Sequence, residues 1–182
     1  MITITGKGQM TFMLPTAVDT AFDFYQDIHR VLPYLPRIRL IHGHGAQHVR
    51  VCYLSRELNM YDVEIYCDIQ AETNREEHVI RLLPREAEPP VKAKSSFHAA
   101  SAYGRYSSTS TFFAEGNQTR LEYHLELSAE LPKPWAVKFL PDGMMDSIAN
   151  NITNHRIQEI ATGFITQSAL HITAWAAQNG SG

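Results

Sequence analysis

The sequence predicts an α+β fold in which a curved, seven-stranded antiparallel sheet wraps around one long C-terminal helix, with short helices between the first and second strands. Three observations carry this expectation. The run from Asp142 to Gln178 contains no proline and reads as one long helix. Most of the chain before it alternates with the period of two that a strand requires. Between the first strand and the rest sits a short helical region closed by Pro33 and Pro36. A lone long helix needs a concave sheet to lie in, and the space between the two is a natural binding cavity.

Taken in order, the first strand places Ile2, Ile4, Met10, Phe12 and Leu14 on one parity and Thr3, Thr5, Lys7, Gln9 and Thr11 on the other. Thr16-Ala17-Val18-Asp19 resembles a capping box, and Val18, Phe22, Tyr25 and Leu32 follow at near-helical spacing. Strand patterns then cover Arg37 to His42, Gln47 to Ser55, Tyr61 to Ala71 and His78 to Leu83, followed by an acidic loop from Pro84 to Pro90. The Ser/Thr/aromatic stretch from Phe97 to Phe113 is a strand of ambiguous parity. After the turn Glu115-Gly116-Asn117, Leu121, Tyr123, Leu125, Leu127, Ala129 and Leu131 alternate with Glu122, His124, Glu126, Ser128 and Glu130, so one face is core and the other is water. No repeat, low-complexity segment or linker divides these elements. Residues 1–179 are expected to form a single ligand-binding domain, with 180–182 a flexible tail.

Asp142 suits the N-cap of the long helix. On a helical wheel, Ile157, Ile160, Ala161, Phe164, Ser168, His171 and Trp175 form one packing stripe. Continued toward the N-terminus, that stripe meets Thr153, Asn150 and Asp146, while Met144, Met145, Ile148 and Ile152 fall nearly opposite. Either the helix kinks over Asn150 to Asn154, or it runs straight and turns polar groups toward a wet or ligand-filled interior.

Composition excludes several classes. With 182 residues, 44% of them hydrophobic, the chain can bury a substantial core. A net charge of -3 supplies no global attraction to nucleic acid or to an anionic membrane. Cys52 and Cys67 are the only thiols, which fits a reducing compartment better than a disulfide framework. No apolar run approaches the length of a membrane span, and the N-terminus is a strand pattern, so a soluble cytoplasmic protein is expected.

The element order, with Phe24-Tyr25-Gln26-Asp27-Ile28-His29-Arg30-Val31-Leu32-Pro33 followed by Leu35-Pro36-Arg37-Ile38, resembles the START and Bet v 1-like (SRPBCC) superfamily and its helix-grip fold. That superfamily also contains polyketide cyclases and coenzyme Q-binding proteins. Leu140-Pro141-Asp142-Gly143, running into a helix that ends near Trp175, is similar to an uncharacterised START-like branch of cyanobacteria and plastids. The resemblance spans nearly the whole chain and carries no catalytic motif, so it implies a fold more strongly than an activity.

The candidate chemistry is sparse. His42, His44 and His48 lie around a glycine-bearing turn and have the residue type of a metal site, but no Cys or carboxylate nearby completes a ligand set. An ordinary exposed hairpin is the favoured reading, and no cofactor is expected. Arg30, which the resemblance places at the cavity mouth, could hold an acidic head group or simply pair with Asp27. His171 reads as a satisfied core residue. Nucleophile elbow, phosphate loop, HExxH and dinucleotide fingerprint are all missing from the sequence. Tyr53, Tyr103, Tyr123, Asp146 and His171 are the candidates for moving a proton.

The function expected from these features is binding or transport of a hydrophobic or amphipathic small molecule such as a lipid, isoprenoid, polyketide or pigment. The expected wall is Val51, Tyr53, Val63, Ile65, Leu121, Tyr123 and Leu125 from the sheet and Asn150, Thr153, Ile157, Ile160 and Phe164 from the helix, with Arg30 at the mouth. A cyclase- or isomerase-like pocket enzyme and a protein-interaction module are the alternatives; no nucleic-acid partner is expected.

Overall fold

The computed structural model describes residues 1–43, 45–57, 61–86, 89, 91–133, 139 and 141–179. The first strand, β1 (Ile2–Leu14), leads into α1 (Val18–Tyr25), α2 (Ile28–Val31) and a single 3-10 turn, Leu32–Tyr34. The strands β2 (Ile38–Gly43), β3 (His48–Glu57), β4 (Tyr61–Asn74), β5 (Val79–Pro84), β6 (Lys94–Ser95), β7 (Ala99–Glu115) and β8 (Gln118–Leu131) follow, and α3 (Asp142–Asn179) closes the chain. The sheet has the order β1-β8-β7-β5-β4-β3-β2, with the two-residue β6 added against β7. This is the α+β, helix-grip arrangement expected from the sequence, with β6 the one strand in excess.

Pairing is antiparallel apart from one stretch. The short β5 covers only the second half of β4, and β7 pairs parallel with the first half, Asp62 facing Ala99 through Tyr66 facing Tyr103. The capping-box expectation for α1 is not met, since Ala17 is the N-cap and no side chain caps the helix. Asp27 instead caps α2, its carboxylate accepting from the amides of His29 and Arg30.

The helix α3 is unbroken over 38 residues, so the reversal near Asn150 is not a break in the helix. Its polar stripe has a different partner from either one expected. As an outer strand, β1 has backbone N–H groups that no neighbouring strand satisfies. The Thr3 amide donates to Asp146 Oδ1 at 3.0 Å and the Thr5 amide to Asn150 Oδ1 at 2.7 Å. The helix lies close along this strand because β1 carries glycine there: a Cβ on Gly6 would sit 2.4 Å from Ile157 Cδ1 and 2.9 Å from Thr153 Cγ2. The side chain of Asp142, expected as the N-cap, lies outside the described residues.

The core divides in two. One cluster joins Phe22, Phe24 and Tyr25 of α1 to Leu14, Phe112, Leu121 and Ile172, with Phe164 and Trp175 packed on it. Here Ile172 takes the fully buried position expected of His171. His171 sits one step round the helix, its ring tilted against that of Tyr34 at 4.6 Å, with its Nδ1 within 2.8 Å of the Gln167 carbonyl. The other cluster lines the sheet's concave face through Val49, Val51, Ile65, Cys67, Ile69, Ala100 and Ala102. Beneath the first half of α3 this cluster does not close.

The convex face is pinned separately. Arg50 and Asp68 are 8% and 1% exposed and meet in a forked ion pair, Arg50 Nε donating to Oδ1 at 3.0 Å and Nη2 to Oδ2 at 2.8 Å. Arg50 Nη2 also donates to the Pro89 carbonyl at 2.9 Å.

Candidate functional site

Between the concave face of the sheet and α3 lies a cavity of about 370 Å³. Its helix side runs from Met145 to Ile165, about 30 Å of helix axis at 1.5 Å per residue, so the space is elongated. Of the wall residues expected from the sequence, Val51, Tyr53, Val63, Ile65, Leu121, Tyr123, Leu125, Thr153, Ile157, Ile160 and Phe164 line it. The missed contributors include Ile2, Ile4, Ile69, Tyr61, Tyr106 and Arg156. For Ile2, Ile4 and Ile69 the signal was present, since they share the inward parity of their strands.

Two expected residues lie elsewhere. Asn150 is outside the wall because its amide oxygen is engaged by β1. Arg30 is held on the outside of the α1–α2 corner, donating through Nη1 to the carbonyls of Asp23 and Phe24 at 2.9 and 3.1 Å. Its Nη2 reaches Asp27 at 3.2 Å and its guanidinium stacks 4.8 Å from the Trp175 ring. Arg30 therefore locks the helix pair onto the end of α3. Among the possible proton movers, Asp146 caps β1, Tyr103 donates its hydroxyl to the Arg85 carbonyl, and only Tyr53 and Tyr123 reach the cavity.

The inward face of β7 carries several small residues, of which Ala100, Ser108 and Ser110 line the cavity while Ile65 fills the space beside Gly104. Ala100, Ala102 and Gly104 occupy three successive inward positions, and a Cβ on Gly104 would lie 2.6 Å from Ile65 Cγ2. Ser108 and Ser110 continue the same face.

The polar groups of the lining fall into two kinds. Several are satisfied by the protein alone: Tyr25 shares a 2.7 Å hydrogen bond with Ser168, Gln26 donates to Asp23 at 2.9 Å, and Thr153 donates to the Ala149 carbonyl at 2.8 Å. Burial pushes the Tyr25 phenol up to about 12.

The rest gather at two places. Near the β3–β4 hairpin, Arg156 donates to both carboxylate oxygens of Glu57 at 3.2 Å and to Glu159 at 2.6 Å. Arg37, in a left-handed backbone conformation (φ 62), closes the network onto Glu159 at 3.0 Å. Burial raises the Glu57 pKa, but the hydrogen bonds from Arg156 and Ser55 outweigh it and hold the carboxyl below the usual range. Next in register to Glu57 is Tyr61, whose hydroxyl oxygen is buried and has no hydrogen-bond partner among the described residues. Deeper in, the hydroxyls of Tyr106 and Tyr123 hydrogen-bond to each other, with Ser108 interacting with both. Burial raises both phenols, so they stay protonated and act as neutral donors and acceptors.

Cys67 lines the cavity opposite Val51, whereas Cys52, paired with Tyr66, faces the other side of the sheet. Burial pushes the thiols to about 12 and about 11. The β2–β3 hairpin is formed as expected, but His44 lies outside the described residues. Among the described residues no group of three His, Cys, Asp or Glu side chains converges as a metal site would require. No helix among them is long and apolar enough to cross a membrane.

No protein-family model and no curated protein matches the chain. Solved structures do. The Zhui aromatase/cyclase from Streptomyces sp. R1128 superposes with a TM-score of 0.61 at 10% identity, covering 98% of this chain and 99% of that one. The di-domain aromatase/cyclase StfQ of the steffimycin biosynthetic pathway gives 0.57 at 11% identity, over 96% of this chain and 52% of that one. Ginseng major latex-like protein 151 from Panax ginseng gives 0.52 at 10% identity, over 92% and 97%. At these identities the likeness shows the fold alone: the chain shares with these proteins the helix-grip arrangement of a curved sheet and a long C-terminal helix.

Proposed function

We propose that this helix-grip chain binds a hydrophobic or amphipathic small molecule, of lipid, isoprenoid, polyketide or pigment type, between its sheet and α3. In this reading residues 1–179 act as one START-like domain in the cytoplasm, with no nucleic-acid partner. The similarity of the chain's C-terminal end to the cyanobacterial and plastid branch is part of the proposal. One observation carries it: the concave core stays open over an elongated, mainly apolar space of about 370 Å³, whereas interiors are normally packed to crystal density. An apolar guest would gain roughly 25 cal/mol for each square ångström it removes from water.

A cyclase-like pocket enzyme is the second reading, favoured by the phenols of Tyr106 and Tyr123 inside the cavity and by the likeness of the fold to two aromatase/cyclases. Protonated phenols suit holding or polarising a carbonyl better than removing a proton. Native mass spectrometry of freshly purified protein, compared with its denatured mass, tests the first reading. A copurifying adduct that is lost on unfolding and returned chemically unchanged supports binding. A guest returned altered supports the enzyme, and a chain that takes up no apolar molecule at all refutes both.

A further inference from the structure

The cavity's polar groups are few enough to specify what kind of guest it would take. Once Tyr25, Gln26 and Thr153 are set aside as satisfied, the remaining oxygen and nitrogen groups fall at two positions far apart, with Tyr53 beside Ser55, Glu57 and Arg156 at one and Ser110 in register with Tyr123 at the other. Tyr61 begins β4, and the parallel register of β4 with β7 reaches Tyr66 opposite Tyr103, three residues before Tyr106. Along the strands that separation is about 26 Å at 3.3 Å per residue, less the reach of the two side chains.

Neither position carries net charge. At the Tyr61 end the guanidiniums of Arg37 and Arg156 are matched by the carboxylates of Glu57 and Glu159. An anionic head would have to displace Glu57 or Glu159 from Arg156, and a cation would meet carboxylates already engaged. A neutral oxygen demands less. The buried Tyr61 hydroxyl has no acceptor among the described residues, a deficit that a guest's carbonyl or hydroxyl would remove. At the other end, the Ser108, Tyr106 and Tyr123 hydroxyls offer both donors and lone pairs.

We infer that the cavity selects an elongated, uncharged molecule with a hydroxyl or carbonyl oxygen at each end. One end is received by Tyr61 beside the Glu57–Arg156 pair, the other by the Ser108, Tyr106 and Tyr123 cluster. The inference rests on the binding reading above and narrows it to a class of ligand.

The test uses the full chain, stripped of lipid, with Nile red as an apolar reporter. Displacement by hexadecane-1,16-diol, 1-hexadecanol and hexadecanoate at pH 9 compares one chain length with two neutral ends, one neutral end and one anionic end. The diol is expected to bind about 5- to 10-fold tighter than the mono-alcohol and at least about 10-fold tighter than the carboxylate, as one to two neutral hydrogen bonds and a buried charge require. Tyr61→Phe and, independently, Ser108→Ala should each collapse the diol to mono-alcohol ratio toward unity, which a general loss of stability would not do. Hexadecanoate binding as tightly as the diol, or a ratio unchanged in both variants, overturns the inference while leaving the cavity reading standing. Failure of Nile red and all three chains to bind folded protein overturns both.

Discussion

Filling the cavity should stabilise the protein. Ala100 is 3% exposed, lies on the inward face of β7 and contributes to the cavity wall. In a packed core, enlarging such a residue forces neighbours off their rotamers and destabilises by about 1–3 kcal/mol. If the space beside Ala100 is open, Ala100→Leu instead places three more carbons in contact with apolar walls. At roughly 0.8 kcal/mol per buried carbon the upper bound is about 2.4 kcal/mol. Lost rotamer freedom of about 0.5–1 kcal/mol and a denatured chain that is already partly collapsed reduce the net gain to about 1 kcal/mol. In urea the midpoint should rise with the slope unchanged, and the melting temperature should rise by about 2–4 °C for a chain of this size. Nile red binding by the stripped protein should fall at the same time. A variant destabilised by 1 kcal/mol or more (~1 kcal/mol being the lower edge of the overpacking range) would show that the walls meet there, and the binding proposal would lose its basis.

Three further outcomes follow from the packing. Asn150→Leu strips the acceptor from the Thr5 amide and should cost about 1 kcal/mol, with faster hydrogen exchange at Thr5 and little change in Nile red affinity; a large loss of affinity would return Asn150 to the cavity floor. Asp68→Ala leaves Arg50 charged and buried and should destabilise by about 3–5 kcal/mol, read from urea unfolding, whereas a change under 1 kcal/mol (~1 kcal/mol being typical of exposed pairs) would mean that the pair is solvated. Because Glu57 is held below its ordinary 4.5, its contribution is complete above that pH and is lost as the pH falls through its folded value; Glu57→Gln should flatten that part of the acid-denaturation profile, and an identical profile in the two proteins would contradict the Arg156 pairing.

The regular parts of β1, β3, β4 and β8 are visible in the sequence because each has one mainly apolar face and so writes a two-residue alternation. β7 hides its parity because Ala100, Ala102, Gly104 and Ser108 face inward, and small residues make little hydrophobic contrast with the Ser and Thr facing out. The polar stripe of α3 was legible as a reversal near Asn150. Its meaning depends on β1 being an outer strand, which is a fact about sheet order.

The candidate site divides the same way. Its apolar wall follows from strand and helix parity, so most of it could be named from the sequence. Its polar groups are joined across long stretches of chain: Glu57 and Arg156 stand 99 residues apart, and nothing local to either announces the other. The sequence alone determined the elements, the inward faces and the single long helix, because hydrophobic periodicity is set by each residue's near neighbours and by burial of one face. Only the tertiary structure decided that the core stays open, that Asn150 and Arg30 serve the frame, and that the Tyr61 hydroxyl is buried without a hydrogen-bond partner among the described residues. Those outcomes depend on which distant side chains share a volume, a long-range property of the packed chain.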